Sequence, residues 1–149
     1  MLKSLKDIAQ ITMGQSPKSK CYNSLKIGMP FLQGRTTFGS IYPSYDTWTT
    51  EWKKEAIPND ILFTVRAPVG DVNICQIPTA IGRGVASIRA INCNHKYLFY
   101  LLQANNYLFT SNSTGTIFES INKDVLENTK IFIHSDEEQL HIVNTIYFV

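Results

Sequence analysis

The sequence holds little of what most enzyme chemistry needs. It has three histidines and three cysteines among 149 residues. His95, His134 and His141 lack the spacing of a helical metal pair, and nothing beside Cys93-Asn94-His95 completes a zinc-deaminase signature. Cys21, Cys75 and Cys93 are odd in number and without metal-type spacing, which points to reduced thiols in a cytosolic protein. There is no G-x-S-x-G elbow, no Walker loop and no glycine-rich dinucleotide loop after a strand. Residues 1–7 have no apolar segment of the signal-peptide kind, and no uninterrupted apolar stretch could span a bilayer. No internal repeat and no low-complexity tract is visible. These absences lead to the expectation of a cytoplasmic chain that is not itself an enzyme, with no catalytic residue, no metal and no cofactor of its own.

What is present suits a folded domain. Hydrophobic residues make up 44% and charged residues 17%, and 149 residues suffice to bury a core without staples. The formal charge of +2 conceals a division along the chain. Through residue 96, twelve Lys/Arg face six Asp/Glu, a net +6; the remainder has two lysines against six acids, a net −4. A basic body with an acidic end suggests a polyanion on one side and a protein partner on the other.

The most organised stretch is Ile57–Gly70. Pro58-Asn59-Asp60 is turn chemistry, and Ile61-Leu62-Phe63-Thr64-Val65 is a short β-favouring run bounded by breakers, as in a strand buried on both faces. It ends in Arg66, and Pro68 and Gly70 then reverse the chain. Such an arginine is either a plain surface residue after a core strand or a cation aimed by a rigid turn. Other loops share the character. Gly14–Lys20 offers Ser16, Lys18 and Lys20, the usual donors to phosphate, in what could equally be a solvated connection. A strand near 29–34 ends at Arg35-Thr36-Thr37, and Gly82-Arg83-Gly84 either admits a close partner or makes a bulge. Between them, residues 38–52 read as a long irregular segment with room for one strand, rich in hydroxyls and in Tyr42, Tyr45, Trp48 and Trp52, which suit base contact or packing against a sheet.

Further on, Asp71–Ile77 alternates like a half-buried strand and 85–91 is another strand. Asn94 is placed to cap a helix over Tyr97–Ser111. A polar loop Ser111–Thr116 follows, then a helical turn near 121–126, a strand at 130–133, and the capping box Ser135-x-x-Glu138 opening a last helix.

Taken in order, these pieces resemble the target recognition domain of the specificity subunit of type I restriction–modification systems. The resemblance rests on Gly14-x-Ser16-Pro17, Gly28-x-Pro30-Phe31-Leu32 and Ile57-Pro58-x-Asp60-Ile61-Leu62-Phe63-Thr64-x-Arg66-Ala67-x-x-Gly70. It continues through Tyr97-Leu98-x-Tyr100-Leu101-Leu102, Thr114-Gly115-Thr116 and Glu138-Gln139-x-x-Ile142, so it covers nearly the whole chain. It implies a module that reads one half of a split double-stranded DNA target. Methylation and cleavage, with S-adenosylmethionine and ATP/Mg, would lie on separate modification (methyltransferase) and restriction subunits. The implied DNA-facing loops carry Ser16, Lys18, Lys20, Arg35, Thr36, Thr37, Arg66, Arg83, Thr114 and Thr116, with the arginines as the foremost anchors.

The implied architecture is α+β, a twisted mixed sheet from strands near 29–34, 57–66, 72–77, 85–91 and 130–133 packed on the Tyr97–Ser111 helix. Residues 1–134 would form the recognition domain, and 135–149 the start of a long helix that in the family pairs antiparallel with a second one. That helix ends here at Val149, as in a fragment or a half-size subunit, and Leu140, Val143 and Ile146 would form an apolar stripe for a partner, such as a second specificity half. Two further readings are a non-catalytic assembly module and a recognition domain from a fused restriction–methylation enzyme.

Overall fold

The computed structural model describes residues 1–111 and 114–147, so Ser113 of the expected polar loop lies outside the described residues. The strands are β1 (Leu2–Ser4), β2 (Ala9–Met13), β3 (Tyr22–Asn23), β4 (Met29–Leu32), β5 (Trp48–Thr49) and β6 (Glu55–Ala56). They continue with β7 (Ile61–Thr64), β8 (Val72–Ile74), β9 (Thr79–Ile81), β10 (Val85–Ala90) and β11 (Lys130–Phe132). The helices are α1 (His95–Ala104), α2 (Tyr107–Thr110), α3 (Lys123–Asn128) and α4 (Asp136–Tyr147).

The α+β class expected from the sequence holds, but the strands do not form one sheet. A central antiparallel sheet runs β2-β10-β7-β8, a mixed outer sheet runs β3-β5-β4-β9-β6, and β1 pairs with β11. The division follows from side-chain chemistry on β7. Ile61 and Phe63 enter the large core with Ile11, Ile88, Leu98 and Leu102, while Leu62 belongs to a second cluster with Leu32, Ala56, Ile81 and Val85. A strand apolar on both faces needs a layer on each side: helices cover one face of the central sheet, and the outer sheet covers the other. All four residues of β7 are buried, as their composition foretold.

β8 departs from the half-buried strand expected of Asp71–Ile77: Val72, Asn73 and Ile74 are all buried. The segment 39–41 lies alongside it. Asn73 accepts from the Gly39 N–H (3.0 Å) and donates to the Gly39 carbonyl (2.9 Å), and the Ile74 N–H donates to Ile41 (2.7 Å). The amide side chain thus stands in for a strand partner, and a polar residue in an alternating pattern is buried with its hydrogen bonds satisfied.

The helices follow their local signals. Asn94 Oδ1 accepts from the N–H groups of Lys96 and Tyr97, capping α1. The single helix expected over Tyr97–Ser111 is broken at Asn105-Asn106 into α1 and α2. Asn106 is diverted there: its side chain donates to the Gly70 carbonyl at 2.5 Å. At α4 the Ser135 hydroxyl accepts from the Glu138 N–H (3.2 Å) and the Ser135 N–H donates to the Glu138 carboxylate (3.3 Å), the reciprocal box read from the sequence. Gln139 Nε2 donates to the His134 carbonyl (3.0 Å) and its Oε1 accepts from the Asn94 N–H (3.4 Å), which ties α4 to the start of α1.

The expected apolar stripe on α4 divides. Val143 is 6% exposed and belongs to the main core, whereas Leu140 and Ile146 are exposed. Helical spacing alone could not tell the core side from the outer side, because α1 packs against only part of the stripe.

Candidate nucleic-acid interface

Three loops meet because of how the strands pair. β4 and β9 are parallel neighbours, Phe31 opposite Ala80 and Leu32 opposite Ile81, so their C-terminal ends emerge side by side. Gly82-Arg83-Gly84 then carries the chain from β9 in the outer sheet to β10 in the central one. The start of β10 faces the end of β7, Val85 opposite Thr64. Arg35 after β4, Arg83 after β9 and Arg66 after β7 therefore issue from one edge.

Backbone bonds stitch that edge. Gly82 N–H donates to Leu32 (2.9 Å), Gly84 N–H to Gln33 (3.1 Å) and Val65 N–H to Gly84 (2.9 Å). The glycines around Arg83 make room for the chain itself. A Cβ on Gly84 would run into the Gln33 carbonyl, and one on Gly82 would meet the Gln33 side chain and lie 2.9 Å from Ser16 Oγ. Of the two readings of Gly-Arg-Gly, close approach is therefore the relevant one, and the partner approached is internal. The result is a depression of about 140 Å³ lined by Gln33, Gly34, Arg35, Thr64, Arg66, Ala67, Arg83 and Gly84. All three arginines selected from the sequence line it, and all three are exposed.

Adjoining hollows extend the surface. One of about 260 Å³ shares Gln33 and Gly34 and adds Thr36, Thr37, Tyr22, Asp46 and Thr47. Another of about 420 Å³ shares Arg35 and adds Ser40, Asp71, Gln103 and Asn106. A third of about 470 Å³ holds Ser16, Lys18, Trp52 and Lys53. Lys20 is exposed on the short 3₁₀ turn Ser19–Cys21 just beyond. Thr114 and Thr116 line none of these hollows; they sit on a turn closed by the bridge between Ser111 and Ile117. The segment that follows Ile117 supports the site, because the Ala67 N–H donates to Glu119 (2.8 Å) and the Ile121 N–H to Val65 (2.8 Å), on either side of Arg66.

The charges are not all free. Arg35 pairs through Nε with Asp71 Oδ2 at 2.5 Å. Arg89 grips Asp60 with two bonds, Nε to Oδ1 (2.8 Å) and Nη2 to Oδ2 (3.0 Å), and this contact raises the arginine's pKa further. Part of the +6 counted through residue 96 is thus spent on internal architecture. Arg66 and Arg83 form no ion pair among the described residues. Ser16 is also committed. Its hydroxyl donates to Gln33 Oε1 (2.6 Å) and accepts from the Arg83 N–H (3.0 Å), so it fastens the Arg83 loop and has no proton left for a phosphate. Tyr45 packs inward and bonds Thr79 (2.7 Å), while Trp52 and Tyr42 stay exposed.

Gln33 and Asp71 were missed from the sequence. Their signal was position alone, Gln33 two residues before Arg35 and Asp71 directly after the Gly70 turn. Burial pushes the Cys75 and Cys93 thiols up to about 11, so both stay protonated at neutral pH. Among the described residues no His/Cys/Asp/Glu cluster could hold a metal, and no helix is long and apolar enough to cross a membrane.

The family model of the type I restriction modification DNA specificity domain matches residues 1–147. The chain is 40% identical over 139 residues to a protein of Methanocaldococcus jannaschii described as the MjaX specificity subunit of a type I restriction enzyme, covering 92% of this chain and 33% of that one. Two solved structures superpose with a TM-score of 0.86 over 99% of this chain. One, 36% identical and 37% covered, comes from work on complex assembly and conformational transition of the type I R-M system. The other, 34% identical and 36% covered, is the HsdS subunit of Thermoanaerobacter tengcongensis. The S subunit from M. genitalium shares the fold at a TM-score of 0.75 with 16% identity. The chain spans about a third of the length of these relatives. It belongs to the type I restriction–modification DNA specificity domain family.

Proposed function

We propose that this domain binds double-stranded DNA and reads one half of a bipartite target. One observation carries the reading: Arg35, Arg66 and Arg83, far apart in sequence, line one depression at a stitched sheet edge. Arginine is the residue best suited to the guanine edge in the major groove, where a good bidentate pair discriminates by about 1–3 kcal/mol. Lys18, Lys20 and Lys53 flank that centre and would hold phosphates, which position the protein without specifying sequence. The domain contributes no chemistry. Methylation and cleavage belong to modification and restriction subunits, which carry S-adenosylmethionine and ATP/Mg, in a cytoplasmic complex. Exposed Leu140 and Ile146 on α4 offer a surface for such a partner or for a second specificity half.

Selection from a randomised duplex library, repeated across salt concentrations, tests this. The expected outcome is one short enriched sequence and an affinity that falls steeply with salt. Arg66→Ala or Arg83→Ala should relax one or two positions of that sequence, while Lys18→Ala should weaken all sequences equally. A library without enrichment at any salt would refute the proposal.

A further inference from the structure

An acid sits among the cations of the proposed DNA face, and its placement calls for a reason. Asp71 lies within contact of the Arg35 guanidinium, both side chains are partly open to solvent, and no other side-chain partner of Asp71 is present among the described residues. Near phosphate such a carboxylate opposes binding, so an electrostatic footprint alone would not place it there.

Its backbone is held more firmly than a surface acid requires. The buried Thr64 hydroxyl donates to the Pro68 carbonyl (2.9 Å) and accepts from the Asp71 N–H (2.9 Å). The Thr64 N–H donates to the Asp71 carbonyl (3.0 Å), and the Gly70 N–H to the Thr64 carbonyl (2.8 Å). Gly70 has φ +98°, and a Cβ there would strike Asn106, whose side chain already closes on the Gly70 carbonyl. One pinned turn therefore carries Arg66 at its start and Asp71 at its end. From that turn Asp71 reaches across to Arg35, which hangs from the outer sheet.

Resting on the DNA-reading function above, we infer that Asp71 is a positioning residue for specificity, which fixes the orientation of Arg35 as a guanine reader. The contact runs through Nε, and Nη1 and Nη2 carry four of the five N–H donors of an arginine. The Nη end is what a bidentate contact to guanine O6 and N7 uses. A long side chain held at its neck loses less rotamer freedom on binding than a free one. The same carboxylate disfavours a phosphate at that spot, so it biases Arg35 toward a base edge. Arg66 and Arg83, without such an acid, remain able to serve either.

Asp71→Asn keeps the size and the backbone bonds, removes the charge and turns one acceptor oxygen into an NH₂ donor. Selection of the full chain on a randomised duplex library, with Arg35→Ala and the double variant in parallel, separates the roles. The expected result is that Asp71→Asn lowers the preference for guanine by about tenfold at the position that Arg35→Ala also relaxes. Affinity for unselected duplex should stay equal or rise, and Asp71→Asn should add nothing once Arg35 is alanine. Preference intact in Asp71→Asn, or an equal shift for all sequences, would show Asp71 to be a mere charge and overturn the inference. So would an Asp71→Asn effect that persists without Arg35. A wild-type chain with no preference at all would instead overturn the DNA-reading proposal, and this inference with it.

Discussion

Asp60 offers the sharpest test of how the reading edge is held. Its carboxylate is 1% exposed and accepts four hydrogen bonds: from the Ile57 N–H (3.0 Å), the Ser87 hydroxyl (2.7 Å), Arg89 Nε (2.8 Å) and Arg89 Nη2 (3.0 Å). It thereby locks the turn before β7 to β10, which flank the Arg66 and Arg83 loops. Asp60→Asn preserves shape but turns one acceptor oxygen into an NH₂ donor. That donor faces Arg89 Nε in one orientation, and Arg89 Nη2, the Ser87 hydroxyl and the Ile57 N–H in the other, so at least one bond from the guanidinium becomes a donor–donor clash. A hydrogen bond to a charged group contributes about 1.5–3 kcal/mol, and a buried group left unsatisfied costs about 1–3 kcal/mol more. The arginine is 43% exposed and can turn to water, which trims the loss. The expected destabilisation is about 3 kcal/mol, a large share of the 5–15 kcal/mol typical of a domain. With a urea slope of about 2 kcal/mol per molar, the unfolding midpoint should fall by roughly 1.5 M at unchanged slope. Arg89→Met, which strands the buried carboxylate, should cost at least as much. Variants within about 0.5 kcal/mol of the parent would refute the view that this cluster is the clamp between turn and strand.

Three further outcomes are expected. Gly84→Ala should destabilise by about 1–3 kcal/mol, because its Cβ meets the Gln33 backbone, and it should blur the DNA preference by parting Arg35 from Arg83; Gly34→Ala, with nothing within 4 Å, should leave stability unchanged. Val143→Ala should cost about 2 kcal/mol for two buried carbons and Leu140→Ala less than about 0.5 kcal/mol, as read by chemical denaturation, since only Val143 faces the core. Hydrogen bonds from Ser135 lower the Glu138 pKa, so the capping box supports α4 at neutral pH and loses its effect as acid titrates Glu138 through that lowered value. Amide exchange in the first turn of α4 should quicken on acidification relative to Ser135→Ala, in which the pH effect should vanish.

The organising strand shows why much of the fold was legible. Ile61-Leu62-Phe63 is apolar on both faces and bounded by turn residues, and both properties are local. Asn94 and Ser135-x-x-Glu138 were readable for the same reason, since a cap involves only residues two or three apart. β8 and the α4 stripe were not, because their burial depends on distant segments. Asn73 is buried by residues 39–41, and Val143 is sorted from Leu140 by its place against the core. The arginines could be chosen from their loops, but Ser16 could not be recognised as an internal fastener, because Gln33 and Arg83 lie 17 and 67 residues away.

By itself the sequence determined five of the strands and the capped helix starts, the basic character of the first two-thirds, and the ordered loop motifs that mark the family, since these depend on neighbours along the chain; the short strands β1, β3, β6 and β9 emerge only from pairing with distant partners. Tertiary structure alone decided which charges are spent internally and which face outward. Arg35, Arg66, Arg83 and Arg89 look alike in sequence, yet Arg89 closes on Asp60, Arg35 leans on Asp71, and Arg66 and Arg83 stand open. The physical reason is that parallel pairing of β4 with β9 and a crossing between two sheets bring separate loops to one edge. A cation's role there depends on which carboxylate the fold delivers within a few ångströms of it.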